Sequence, residues 1–184
     1  IGPAPDGDAL IVGYDARAVE AALWPRSKDA DGRWHPWAEA LASSLRELRT
    51  GPVLPDAIAH HVAGTNAPET LLKPEDFLAA LDGLDGDAEK KLARQIATMP
   101  VNELFSKMRD AWAHEDDAAL ARGVAVATPA VLHPCVGELR SRAAKRLLAR
   151  LEQGSCRVLM EAWLALGDDG VLARVQAAAR ERPR

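Results

Sequence analysis

Apolar residues in the last third of this chain recur at helical intervals. Between Gly137 and Gln153, Ala143, Ala144, Leu147, Leu148 and Leu151 share one face, with Arg142, Lys145, Arg146 and Arg150 opposite. Gly154 closes that helix, and Ser155 is placed to cap a second one, Val158 to Leu166, which is apolar nearly all round except at Glu161. That second helix is expected to be the central buried element, so loss of Trp163 should be severely destabilising. Gly167-Asp168-Asp169-Gly170 then makes a turn into a final helix with Val171, Leu172, Val175 and Ala178 on its apolar face.

Earlier segments follow the same grammar less regularly. Ala9-Leu10-Ile11-Val12 is the best strand in the chain, and Asp15 can cap a helix that runs to Leu23 before Pro25. Arg26 to Arg33 reads as a polar loop. A helix opening at Pro36 places Trp37, Leu41, Leu45 and Leu48 on one stripe and stops at Gly51-Pro52. Prolines and glycines from Pro52 to Pro74 leave room for at most one short helix, near Ile58. Helical hairpins follow: one helix with Phe77, Leu78 and Leu81, and another ending at Pro100. Next comes a stripe of Val101, Leu104, Phe105, Met108 and Trp112, expected to face the core. Asp116 or Asp117 caps the next helix, which Thr128-Pro129 ends.

The fold class expected is therefore mainly α: a compact bundle of about seven to nine short helices with room for one N-terminal strand, the alternative being α/β with few strands. A single domain spans 1–184, its best-packed unit lying at 137–184, and an N-terminal appendage can be cut at about residue 68. The abundance of Ala and Leu and the scarcity of aromatics agree with close helix packing.

Charge adds a second pattern. The net charge of −4 gives no general attraction to polyanions, but its distribution is polarised. From Gly137 onward there are 10 Lys/Arg against 6 Asp/Glu; the rest of the chain holds 13 against 21. Such asymmetry serves head-to-tail association or an acidic partner, the alternative being that helix surfaces simply differ. Arg142, Lys145, Arg146 and Arg150 form the leading candidate binding face. Arg140 falls toward the apolar arc, where it must snorkel or meet a carboxylate, with the acidic first half as a candidate source. The face has no interleaved aromatics, so sequence-specific nucleic-acid binding is poorly supported.

Chemistry-bearing residues are sparse. Cys135 and Cys156 are too few for a disulfide framework and lack zinc-type spacing, though Cys156 beside Arg157 at an expected helix start has the setting of a reactive thiol. His133 and Cys135 are the weak metal candidates. His60 and His61 point apart in either helix or strand and do not chelate together. Asp29-Ala30-Asp31-Gly32 has the look of a calcium loop, but Ala38 stands where the bidentate carboxylate is needed, so a turn is the better reading. No cofactor is expected. No run approaches a membrane span, and no signal segment opens the chain, which reads as cytoplasmic, although its first residue is Ile1 rather than Met.

Arg109-Asp110-Ala111-Trp112-Ala113-His114 resembles the Arg-polar-x-x-x-His pattern of HEPN-type ribonucleases. The resemblance implies His114 as general acid or base and Arg109 as stabiliser of charge on an RNA phosphate. On an unbroken helix these two residues point about 140° apart, so convergence needs a helix break or a second chain. Val158 to Val175, with its Gly167-Asp168-Asp169-Gly170-Val171-Leu172, resembles the closing strand, loop and helix of the TraB/GumN family, with Leu164 in place of that family's His. That likeness implies a strand at Val158 to Met160. The leading expectation for function is a non-enzymatic accessory protein that presents charged helix faces to another protein. The alternatives are an RNA-cleaving module using Arg109 and His114, and a basic-face nucleic-acid binder.

Overall fold

A computed structural model describes residues 9–40, 68–82 and 84–181. The chain is mainly α-helical around a small parallel sheet of β1 (Ala9–Tyr14), β2 (Glu69–Leu72) and β3 (Cys156–Leu159), in the order β2-β1-β3. Ile11 pairs with Glu69 on one side and Val158 on the other, so the N-terminal strand is the centre of the sheet. Ile11, Val12, Leu71 and Leu72 are all buried, as expected of a parallel sheet covered on both faces.

The helices are α1 (Ala16–Leu23), α2 (Pro74–Leu81), α3 (Gly86–Ala97), α4 (Val101–Ala113), α5 (Asp117–Ala127), α6 (His133–Leu151), the single turn α7 (Ala162–Ala165) and α8 (Val171–Glu181). Short 3-10 turns occupy Trp24–Ser27 and Ala130–Leu132. Helix starts follow their caps: Asp15 accepts from the amides of Arg17 and Ala18, Asp85 from Asp87 and Ala88, and Asp116 from Ala119. The helix expected from Pro36 is present at 36–40. Its continuation through Leu41, Leu45 and Leu48, the short helix near Ile58 and the His60-His61 pair lie outside the described residues.

Helix α6 organises the core. It begins four residues earlier than its spacing suggested, at His133, with Pro134 in the first turn. Leu139, Ala143, Ala144 and Leu147 are buried against Ile11, Leu71, Leu72, Leu164 and Val171. The paired alanines let its backbone approach closely, and the helix contacts β2, α2, α7 and α8.

Three expectations need correction. The segment Val158 to Leu166 is not one buried helix: Cys156–Leu159 is strand β3, and only Ala162–Ala165 is helical. An all-apolar run of that length fits a buried strand as well as a helix, and the partner offered by β1 decides. Cys156 consequently begins a strand and has no helix N-terminus beneath it. Glu69–Leu72, within the stretch read as irregular, is strand β2; four residues between turn formers give too short a pattern to be read alone. On α4, Leu104 and Ala111 are buried, whereas Phe105 is 55% and Trp112 73% exposed. The helix turns its Leu104–Met108–Ala111 side to the neighbouring α5, where Met108 lies over Gly123. Of the strand that the TraB/GumN likeness implied at Val158 to Met160, Val158 and Leu159 lie in β3, and α7 intervenes before the Gly167–Gly170 turn and α8. Gly170 is required there, because a Cβ would lie 2.4 Å from the Ala165 carbonyl oxygen.

Charge fastens α6 to the first half. Asp76, 6% exposed, accepts from Arg142 (3.1 Å), from Arg146 through Nη2 (3.0 Å) and Nη1, and from the Lys73 amide (2.8 Å). Arg146 also donates to the Leu71 carbonyl at 2.6 Å. Burial raises the Asp76 pKa, but the hydrogen bonds from Arg146, Lys73 and Arg142 outweigh it and bring the carboxyl from 3.8 down to about 2. Because the folded value is the lower one, the stabilisation is complete above about pH 4 and disappears as pH falls toward 2. Asp76→Ala should cost about 1–3 kcal/mol, since Arg142 keeps Glu138 and Arg146 keeps the Leu71 carbonyl, and should flatten that acid limb in urea-melt midpoints taken across pH. Within Val158 to Leu166 the fully buried side chain is Leu164, while Trp163 is partly exposed. Leu164→Ala is expected to cost about 2–5 kcal/mol, measured by the same melts.

Candidate functional site

Three of the five tryptophans fall within residues 24–37, and that segment forms one side of an apolar cleft. Pro25 permits the 3-10 turn after α1, and Asp29 closes the next turn by accepting from the amides of Asp31 and Arg33. The Asp29 to Gly32 sequence is thus a turn. Its closure brings Lys28 and Trp34 into an antiparallel bridge. Trp34 packs edge-on against Trp24 with centroids 4.9 Å apart, and Lys28 Nζ lies 5.0 Å over the Trp34 ring.

The opposite wall comes from α3 and α4. Asp85 starts α3 so that Leu92 and Ile96, one helical turn apart, face the cleft. Met99, Val101 and Phe105 continue that wall across the α3–α4 turn, and Ala127, Pro129 and Leu132 close the floor. The cavity is about 740 Å³, within the size range of ligand pockets.

Polar groups sit at its rim in pairs. His35 Nδ1 lies 3.2 Å from Glu89 Oε2, with the imidazole stacked on Trp37, and Arg26 pairs with Asp82. Both pairs tie the Trp-rich segment to the α2–α3 side. Lys28 is different: it has no carboxylate partner among the described residues. The described lining contains no serine, threonine or cysteine, so the surface offers apolar contact and one unneutralised cation. Such a surface can hold an apolar body that carries a negative charge.

The residues singled out from sequence lie elsewhere. Arg140 donates from Nε (2.8 Å) and Nη2 (2.5 Å) to the Trp163 carbonyl and pairs with Asp169, so its carboxylate comes from the C-terminal half. Arg142 and Arg146 hold Asp76, and Arg150 reaches Glu69 at 3.3 Å. Lys145 is exposed and, alone of the five, has no carboxylate partner among the described residues. The basic face is spent largely on the protein's own acidic half.

Arg109 and His114 stand on the outer end of an unbroken α4. Arg109 neighbours Asp110, while His114 caps the helix with Nδ1 2.7 Å from the Asp110 carbonyl. The structure does not bring them together on one side of the helix. His133 Nε2 lies 3.2 Å from the Thr128 carbonyl, and the Cys135 thiol donates to the Ala80 carbonyl at 2.9 Å. Burial raises the Cys135 pKa, which keeps it a thiol. Among the described residues no cluster of three or more metal-ligating side chains occurs.

Known protein families, curated proteins and solved structures contain no match to this chain. Among the described residues, no single helix is long and apolar enough to cross a membrane.

The cleft was missed from sequence because its lining comes from segments far apart in the chain. The one available signal was the crowding of Trp24, Trp34 and Trp37 in a chain with few aromatics. The Arg26–Asp82 pair is half exposed on both sides, so a double-mutant cycle should give a coupling of only about 0.2–1 kcal/mol. A coupling several times larger would mean that this pair, rather than apolar packing, holds the cleft walls together.

Proposed function

We propose that this chain is a non-enzymatic binding protein whose apolar cleft receives a segment of another protein carrying large apolar side chains and a carboxylate. The observation that carries this reading is the cleft with exposed aromatics beside it. The chain has eight aromatic residues, and Phe105, 55% exposed, lines the cavity with Trp37, while the exposed pair Trp24 (56%) and Trp34 (41%) adjoins it through Lys28, which lines the cavity and lies over the Trp34 ring. Tryptophan and phenylalanine are enriched at protein interfaces, and exposed apolar surface gathered in one place marks a contact site.

Charge selects the occupant. Arg26 and His35 are already paired across the rim, which leaves Lys28, seated on Trp34, to meet an incoming carboxylate. The acidic character expected of the partner is retained, while the contact surface moves from the α6 face to the cleft.

Panning a random dodecapeptide library against the protein tests this reading. Enriched peptides should combine two or more large apolar residues with Asp or Glu. Their Kd should rise about tenfold on Lys28→Glu and again on Phe105→Ala, each step being about 1.4 kcal/mol. Peptides that bind both variants as tightly as the unaltered protein would place recognition elsewhere. Failure to enrich any peptide, together with tight binding of dodecanoate, would make the cleft a small-molecule site.

A further inference from the structure

The sheet order makes β1 and β3 the strands that flank a reversal of connection. From β1 the chain leads to β2 on one side, then returns to add β3 on the other, and the carboxyl ends of the strands flanking such a reversal are where open parallel sheets leave a gap. Here a strap, Met160 to Leu166, runs over those ends. It seats Glu161 directly on Gly13: a Cβ added at Gly13 would lie 2.5 Å from Glu161 Oε2, 3.2 Å from Leu164 Cδ2 and 3.3 Å from Met160 Cβ.

The seat is a poor one for a charge. Glu161 Oε2 is buried and has no hydrogen-bond partner among the described residues. Among the described residues the Tyr14 phenol of β1 interacts with it, and the Arg140 guanidinium of α6 is taken up by the Trp163 carbonyl and Asp169. The strap's own Leu164 and Met160 are apolar. A buried oxygen without a donor is tolerated far better on a neutral carboxyl than on a carboxylate.

We propose that the strap Met160 to Leu166 is a pH-operated closure of the sheet's carboxyl end, held down while Glu161 is neutral and released when Glu161 ionises into water. Burial pushes the Glu161 carboxyl above its usual 4.5, and burial together with the nearby Glu161 raises the Tyr14 phenol. The folded value lies above the unfolded one, so closure is at full strength below about pH 4.5 and weakens as pH rises from there. Release would uncover Gly13 and the ends of β1 and β3. Within the strap the movement is confined to Met160 and Glu161, because Leu164 stays in the core and Arg140 holds the Trp163 carbonyl, and α6 keeps its own fastening through Asp76.

Amide hydrogen exchange, corrected for intrinsic rates, tests the closure across pH 5 to 8 in the full chain. Exchange in the strap should speed up by as much as tenfold per pH unit until Glu161 is ionised in the closed form, while α6 amides stay constant. In Glu161→Gln the strap should lose this dependence. Gly13→Ala, which crowds the seat, should open the strap at every pH and gives a second reading should Glu161→Gln fold poorly. A strap that is equally protected across the range in the unaltered protein, or that loosens identically in Glu161→Gln, would overturn the proposal. So would a Glu161 carboxyl carbon resonance showing the ionised form throughout.

Discussion

One buried carboxylate connects the two halves of this molecule. Asp76 lies in the first turn of α2, where its own chain needs it to accept the Lys73 amide, and its remaining capacity is filled by two arginines one helical turn apart on α6. The geometry fixes the rotation of α6 about its axis. With Arg142 and Arg146 turned toward the β2–α2 junction, Leu139, Ala143 and Leu147 must meet the sheet. A charge so enclosed is costly unless fully satisfied, and here each oxygen has more than one donor.

That arrangement gives the polarised charge of the chain its meaning. An acidic first half and a basic last half look, in one dimension, like an invitation to a partner. In three dimensions Asp76 and Glu69 meet Arg142, Arg146 and Arg150, and the attraction is used within the chain. The cleft between the Trp-rich segment and α3–α4 lies away from the α6 clamp, on elements joined by half-exposed or partly exposed ion pairs. Division of labour follows: a charge-fastened core, and a softer cleft on its flank.

The resemblances noted in sequence divide in the same way. Arg109 and His114 share a short pattern, but they stand on a continuous helix that points them apart, and within one chain the fold supplies no break that would bring them together. The likeness of Val158 to Val175 to a strand, loop and helix concerned backbone order alone, and that order is interrupted by α7 between strand and loop. Leu164, at the position that would bear chemistry, is instead a fully buried part of the core.

Locally determined features were legible from sequence because their causes lie within a few residues. Asp15, Asp85 and Asp116 satisfy amides two or three positions ahead, prolines and glycines stop helices where they stand, and Ala9 to Val12 reads as a strand by β-branching and flanking turns. Pairing and facing were decided elsewhere. Cys156 to Leu159 is extended because β1 presents an open edge to it. Glu69 to Leu72 becomes a strand on the other edge for the same reason. Phe105 and Trp112 are exposed because α5 takes the Leu104–Met108–Ala111 side of their helix. A periodic stripe records that a face is apolar, but which neighbour covers it depends on contacts between residues tens of positions apart, and those exist only once the chain has folded.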